Sequence, residues 1–299
     1  MASLKEVKLK ISGIKKTKQI TKAMHMVAAS RLRSTQAAAE AFRPYAEKFA
    51  EVLGNIADKA GEDVSPLLMP RDPVKHVHIV LCTSDRGLCG GFNSNLIETA
   101  ESVLDKRSGE NIDFSFTCFG KKGRDWCRKK KHKIENEYLD VVGTKVGFNV
   151  ASSSGQVLIS SFQDGAYDEV ILIYSRFVSM ANQHPVVKQL LPIPVINTKS
   201  GDSDEGENEK EYAAEYLYEP SPDALLNTML PRNVFVQIYD ALLETSTSEH
   251  ASRMKAMNNA TKACDDMIES LTLAFNKARQ AAITTELMDI VGGAEALRG

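Results

Sequence analysis

The residues of this chain best placed to do chemistry form a glycine-rich run, SDRGLCGGFN, from Ser84 to Asn93. It lies between a short apolar stretch and a helical pattern, where backbone N–H groups can cradle a phosphate. Its spacing fits neither GxGxxG nor the GxxxxGK loop. A tight turn with positive φ at Gly87, Gly90 or Gly91 explains the glycines without a ligand, and nucleotide binding stays as the alternative. A second candidate, KKGRDWCRKKKHK from Lys121 to Lys133, is strongly basic and holds the single tryptophan. No nucleic-acid recognition fold accompanies it and the pI is near 6.3, so a solvated helix face with Trp126 in the core accounts for it. The six histidines (His25, His76, His78, His132, His184, His250) form no cluster with metal-ligand spacing. No Ser-His-Asp or Cys-His arrangement stands out. The residues point to no catalytic site, cofactor or metal of the chain's own.

The elements that would position these residues change character along the chain. From Arg232 to Val291 there is no glycine, and no proline follows Pro231. An uninterrupted helix of roughly sixty residues would be about 90 Å long. Such a helix needs a long partner or must reach into something else. The stretch before Pro44 is also proline-free, with Gly13 its one glycine, and Pro44 is expected to kink or break that helix. Leu4, Val7, Ile11 and Ile14 step by threes and fours, a coiled-coil seam. Lys18 and Thr21 turn it polar before Met24, Val27 and Ala28 resume an apolar stripe. Near the other end Cys264, Ile268, Leu271, Phe275, Ala278, Ala282 and Thr285 repeat the pattern, continuing a stripe of Met254, Met257 and Thr261. Two such seams wind on each other most economically as an antiparallel pair. Beyond them the segment Ala281 to Leu297 carries apolar residues with little in the chain to bury them, which marks an interaction site.

The middle reads as a small, largely parallel α/β sheet. Strands are expected at Val77–Thr83, Phe114–Phe119 and Glu169–Tyr174, with a short fourth at Pro194–Asn197. Helices are expected at Asn95–Lys106 and Ser153–Phe162. Boundaries follow: 1–60 a coiled-coil helix, 74–200 the α/β domain, and 211–299 a short segment leading into the second coiled-coil helix.

Composition supports a folded chain: 43% hydrophobic and 25% charged residues leave little room for bulk disorder. No apolar run approaches the roughly eighteen residues of a membrane span. The basic stretch Met1 to Lys22 lacks the apolar core of a secretory signal, and its periodicity runs on past Arg33, so it is expected to be mature structure. Five scattered cysteines without a CxxC pair fit reduced thiols in a cytoplasmic setting. Charge is segregated: Met1 to Lys48 holds eleven lysines and arginines against three glutamates, and Asp202 to Asp223 holds nine acidic residues against one lysine. Opposite fields at defined places suggest charged neighbours.

Longer strings carry a resemblance. IKKTKQITKAMHMVAAS from Ile14, the run SDRGLCGGFN, SEHASRMKAMNNAT from Ser248 and RQAAITTELMDIVGGAEA from Arg279 together resemble the gamma-subunit family of the rotary F-type ATP synthase, in order and over the whole length. The resemblance implies an α/β protein with a long antiparallel coiled coil of the N- and C-terminal helices and a central Rossmann-like parallel-sheet domain. It implies a central rotor shaft of a proton-translocating synthase, a non-catalytic subunit that couples c-ring rotation to ATP synthesis and hydrolysis at the beta-subunit sites. The implied partners are the alpha and beta subunits of the catalytic hexamer, the epsilon subunit and the c-ring, with no nucleic acid and no cofactor. Membrane association would come only through the complex, at the cytoplasmic face of a bacterial inner membrane, with the mitochondrial matrix side as the alternative. By motif position Met26, Arg31, Arg33, Arg253, Gln280, Thr284 and Asp289 would contact beta subunits; Asp289 stands where the family is expected to carry glutamate. Tyr216, Leu217, Tyr218 and Glu219 match the foot that rests against the c-ring. The acidic stretch 201–211 belongs to no part of the pattern. The competing reading is a nucleotide-binding enzyme that uses its long helices as an oligomerisation element.

Overall fold

Short segments that are apolar at nearly every position can only be satisfied when both faces of a sheet are covered. The computed structural model of the chain, which describes residues 4–57, 65–107, 112–143, 145–194, 219 and 221–296, places three such segments at the centre of a five-stranded sheet. β1 (His76–Cys82) lies between β2 (Asp113–Phe119) and β4 (Glu169–Phe177), parallel to both. β3 (Lys133–Tyr138) extends the sheet in parallel beyond β2. β5 (Gln183–Leu191) closes the other edge, antiparallel to β4, with Ile173 opposite Val187. The order is β3-β2-β1-β4-β5. The sheet is largely parallel as expected, with one antiparallel β4–β5 hairpin at its edge. Of the expected fourth strand, Pro194 is irregular and 195–197 lie outside the described residues.

Helices cover both faces. α2 (Phe92–Arg107) and α3 (Lys121–Lys130) pack on the side of Ile79, Leu81, Phe116 and Ile173. The opposite face, with Val80, Phe119 and Leu172, is covered by α4 (Phe148–Gln163) and by parts of the terminal helices α1 (Leu4–Ala57) and α5 (Pro222–Ala296). Alternation along β1 places His78 on that second face, fully buried, with its ring nitrogens 2.7 Å from Ser115 Oγ and 2.8 Å from Thr117 Oγ1. Gly120, at φ 94, turns β2 into α3 so closely over Thr83 that a Cβ would collide with the Thr83 carbonyl oxygen.

α1 runs through Pro44 as one helix of 54 residues, so of the expected kink or break the break does not occur. Pro44 and Glu40, whose carbonyl loses its usual donor there, are both exposed, so water can take the place of the missing hydrogen bond. α5 likewise contains Pro231 and is 75 residues long.

The chain divides into two compact units, Met1–Ala29 with Arg253–Gly299, and Ser30–Ser252. The first is a two-helix coil. Thr21 Oγ1 lies 2.8 Å from Thr261 Oγ1, and Lys18 pairs with Asp265, so numbers rise along one helix as they fall along the other. Val7, Ile11, Ile14 and Lys18 are half-buried and Thr21 and Ala28 buried, facing Met257, Cys264, Ile268, Leu271, Phe275 and Ala278. Val27, expected in the stripe, is 56% exposed; the heptad passes through half-buried His25 instead. Thr285 is exposed and returns its hydroxyl to Ala281 O at 3.0 Å, so the seam stops at half-buried Ala282.

Candidate functional site

In an open α/β sheet a ligand binds beyond the carboxyl ends of the strands, where the strand order reverses. Here that point lies between β1 and β4. The glycine run sits at the end of β1 and is tied to itself. Ser84 N donates to Asn93 Oδ1 at 3.0 Å, Ser84 Oγ donates to Arg86 O at 2.6 Å, and Asn93 Nδ2 reaches Cys89 Sγ at 3.1 Å. Leu88 (φ 64) and Gly90 (φ 60) take the left-handed conformation, while Gly87 and Gly91 do not. Cys89 is buried at 2% exposure. Asp85 Oδ1 accepts from Lys121 N at 3.1 Å and from Asp140 N at 3.0 Å, joining the run to the start of α3 and to the end of β3. Of the backbone donors at this turn, Ser84 N is taken by Asn93 and Phe92 N by Cys89 O at 3.3 Å.

The end of β4 is occupied by α5. Residues Thr245, Ser246, Thr247, Ser248, Glu249 and His250 are consecutive, polar and at most 2% exposed. Buried polar side chains are costly unless hydrogen-bonded, and several of these reach the end of β4 or the loop at Gly143. Ser248 Oγ donates to Ser175 O at 3.2 Å, and Thr245 Oγ1 accepts from Ser175 N at 3.5 Å. Ser246 Oγ accepts from Gly143 N at 3.3 Å, Glu244 just before the run accepts from Phe177 N at 2.6 Å, and Thr247 returns its hydroxyl to Leu243 O at 2.8 Å. The crevice is filled by the chain itself. Sequence reading missed this run. Its signal was there: the apolar triplet Ala241-Leu242-Leu243 before it leaves no solvent face on the helix.

The basic segment forms α3 as expected, with Trp126 9% exposed and its Nε1 donating to Glu101 at 3.1 Å. Lys121, Arg128 and Lys130 pair with Asp140, Glu137 and Glu101. The five cysteines are all buried and unbridged.

The residues singled out for partner contacts are spread over both units. In the two-helix coil Met26 is 58% exposed, and Gln280, Thr284 and Asp289 are exposed near the end of α5. Arg253, in the same unit, is only 8% exposed. In the other unit Arg31 and Arg33 are exposed, and Arg31 Nη1 donates to Gly143 O at 2.9 Å. Glu219 is exposed, whereas Tyr216, Leu217 and Tyr218 lie outside the described residues, as does the acidic stretch 201–211. The register of the coil sets Leu4 level with Ala278 and Arg279. Beyond Ala282 no described residue of α1 lies alongside, and every residue from Ile283 to Ala294 is exposed. Ile283 (49%), Leu287 (57%), Met288 (67%), Ile290 (68%) and Val291 (56%) make that end an apolar surface without cover. No described helix is long and apolar enough to cross a membrane.

The chain is similar to known proteins along nearly its whole length. The family profile described as ATP synthase matches residues 3–297. The ATP synthase gamma chain of Desulfosudis oleivorans is 64% identical over 300 residues, all of both chains. Among solved structures, a chain in the central stalk and c-ring of the Tetrahymena thermophila mitochondrial ATP synthase is 27% identical, with TM-score 0.55, over 81% of this chain and 99% of its own. A chain in the rotor of the Euglena gracilis mitochondrial ATP synthase shares the fold, with TM-score 0.64 at 18% identity, over 94% of this chain and 98% of its own.

Proposed function

This chain belongs to the gamma-chain family of the ATP synthase, and from that premise we propose that it is the central rotor shaft of a proton-translocating F-type enzyme. The observation that carries the reading is the apolar end of α5, exposed from Ile283 to Ala294 with no described helix beside it. A surface of that kind is costly in water and fits a sleeve made by other subunits. The sleeve is the ring of alpha and beta subunits. In it Gln280, Thr284 and Asp289 meet beta subunits near the tip, and Met26, Arg31 and Arg33 meet them lower down. Arg253 completes that set from a buried position, so its part is to hold the neighbouring surface in shape. The foot, Tyr216 to Glu219, rests against the c-ring, with the epsilon subunit beside it. Membrane association comes through these partners, at the cytoplasmic face of a bacterial inner membrane.

The chain has no catalytic site of its own in this reading. Support comes from the crevice between β1 and β4, where Thr245 to His250 stand in the place of a ligand. Rotation then acts on the beta sites only through contacts whose energy differs with angle, since a partner shifts an equilibrium only by differential affinity.

The test is reconstitution with alpha and beta subunits, reading ATPase rate and the rotation of a bead fixed to the exposed sheet domain. Stable assembly and unidirectional rotation driven by ATP are expected. A chain that binds ATP or NAD tightly by itself, or that forms an active homodimer, would instead establish the enzyme reading.

A further inference from the structure

A half-open pocket of about 420 Å³ lies within residues 30–252, between α1, the loop after β3 and α5. Volumes of this order hold small organic molecules. Its lining is mixed. It includes Arg31 and Lys145. Arg31 uses one N–H on Gly143 O at 2.9 Å, which leaves the rest of its donor fork available. Lys145 is exposed and has no carboxylate partner among the described residues. The lining also holds the apolar Val146 and Leu243, buried at 7% and 2%, and the Tyr239 ring, with Ser34, Thr35 and His250 as further polar members. That ring is held edge-on by Phe42 at 4.7 Å and by Phe148 at 5.4 Å.

The wall at Gly143 is preformed. Gly143 has φ 84, its N–H is held by Ser246 Oγ at 3.3 Å, and a Cβ there would collide with the Glu249 carboxylate behind it. Glu249 lies next to Gly143 but is not among the residues that line the pocket. Two cations line one concave space, and an anion placed there would meet both. A fixed wall spares the ligand the expense of ordering it.

We propose that this pocket binds an organic anion with an aromatic body. The ring lies against Tyr239, Val146 and Leu243, and the anionic group sits between Arg31 and Lys145. The ligand bridges α1 to α5 through the loop. The proposal goes beyond the rotor reading and does not depend on it, although Arg31 enters both.

The probe is 1-anilinonaphthalene-8-sulfonate, titrated by fluorescence and calorimetry into the purified full-length chain at low and high salt. One saturable site per chain is expected, weaker at high salt because its cations are open to solvent. The double variant Arg31→Gln, Lys145→Gln should weaken binding about tenfold or more, the equivalent of one or two charge-assisted hydrogen bonds. Ala38→Trp, which keeps both cations but fills the space, should also lose the site, while Lys122→Gln on α3 should keep it. Competition separates charge from greasiness: 2-naphthoate should displace the probe and neutral 2-naphthamide should not. Absence of a saturable site, equal displacement by the amide, or binding that survives both pocket variants overturns the proposal. So does a site present in the isolated chain and absent from the assembled ATP synthase, because a neighbouring subunit would then be its occupant.

Discussion

His78 illustrates how one residue can tie a fold to pH without taking part in function. Burial, reinforced by repulsion from Lys133, pushes its imidazole from 6.5 down to about 3. Both ring nitrogens already hold hydroxyls, Ser115 and Thr117, and Tyr167 stacks on the ring at 4.2 Å. Between pH 6.5 and 3 the unfolded chain binds a proton that the folded chain refuses, so it is the unfolded state that gains as pH falls. The stability this residue supplies is complete above pH 6.5 and drains below it, by up to about 1.4 kcal/mol per pH unit inside the window. Urea midpoints measured from pH 7 to pH 4.5 should therefore fall more steeply for the natural chain than for His78→Gln. Parallel slopes would show that His78 is not held neutral. Nothing in the sequence marks this histidine: it alternates with apolar neighbours in β1 like any strand residue, and only its placement opposite two hydroxyls explains its tolerance.

At the scale of elements, the coil register makes a sharper claim. Phe275 is half-buried and stands level with Val7. Phe275→Ala should cost about 2 kcal/mol, below the 3–5 kcal/mol of a fully buried phenylalanine because part of the ring already meets water. Hydrogen exchange should show the loss as faster opening of α1 from Leu4 to Ile11, with β1, β2 and β4 unchanged. Unaltered protection around Val7 would mean a different register. The helices were legible from sequence because a heptad seam persists over many turns, so single exceptions such as Val27 and Thr285 do not hide it. The central strands were legible because both their faces are covered. The two edge strands were not. β3, KIENEY, alternates charged exposed residues with half-buried ones, and β5, QHPVVKQLL, contains Pro185 and Lys188. Charges and proline are what keep a free edge from pairing with another chain, and the same residues disguise it as loop or basic helix. The candidate site divided in the same way. The positions proposed to meet partners rest on long strings that resemble a family, whereas the plug of Thr245 to His250 required knowing which strand ends α5 would meet.

For the whole molecule, the exposed end of α5 separates the stability of the chain from that of its assembly. Leu287→Ser with Ile290→Ser touches side chains that are 57% and 68% exposed, so the isolated chain should unfold within about 0.5 kcal/mol of the natural one. In the rotor reading the assembled complex should lose subunits at lower urea and turn over more slowly, while the ratio of protons pumped to ATP hydrolysed stays unchanged. A bearing holds an axis in place without transmitting force. Full assembly with a collapsed pumping ratio would instead make the tip part of the drive. What keeps such an axis from turning inside its own body follows from the polar run of α5. Apolar packing is indifferent to direction, and a cylinder held by it alone could roll by a side chain's width at little cost. Hydrogen bonds are not indifferent, because they weaken steeply as donor and acceptor leave line. Glu244, Thr245, Ser246 and Ser248 reach Phe177, Ser175 and Gly143 from several sides of the helix. They index its angle as the teeth of a spline index a hub, so a twist entering α5 at that level is delivered to the sheet without slip.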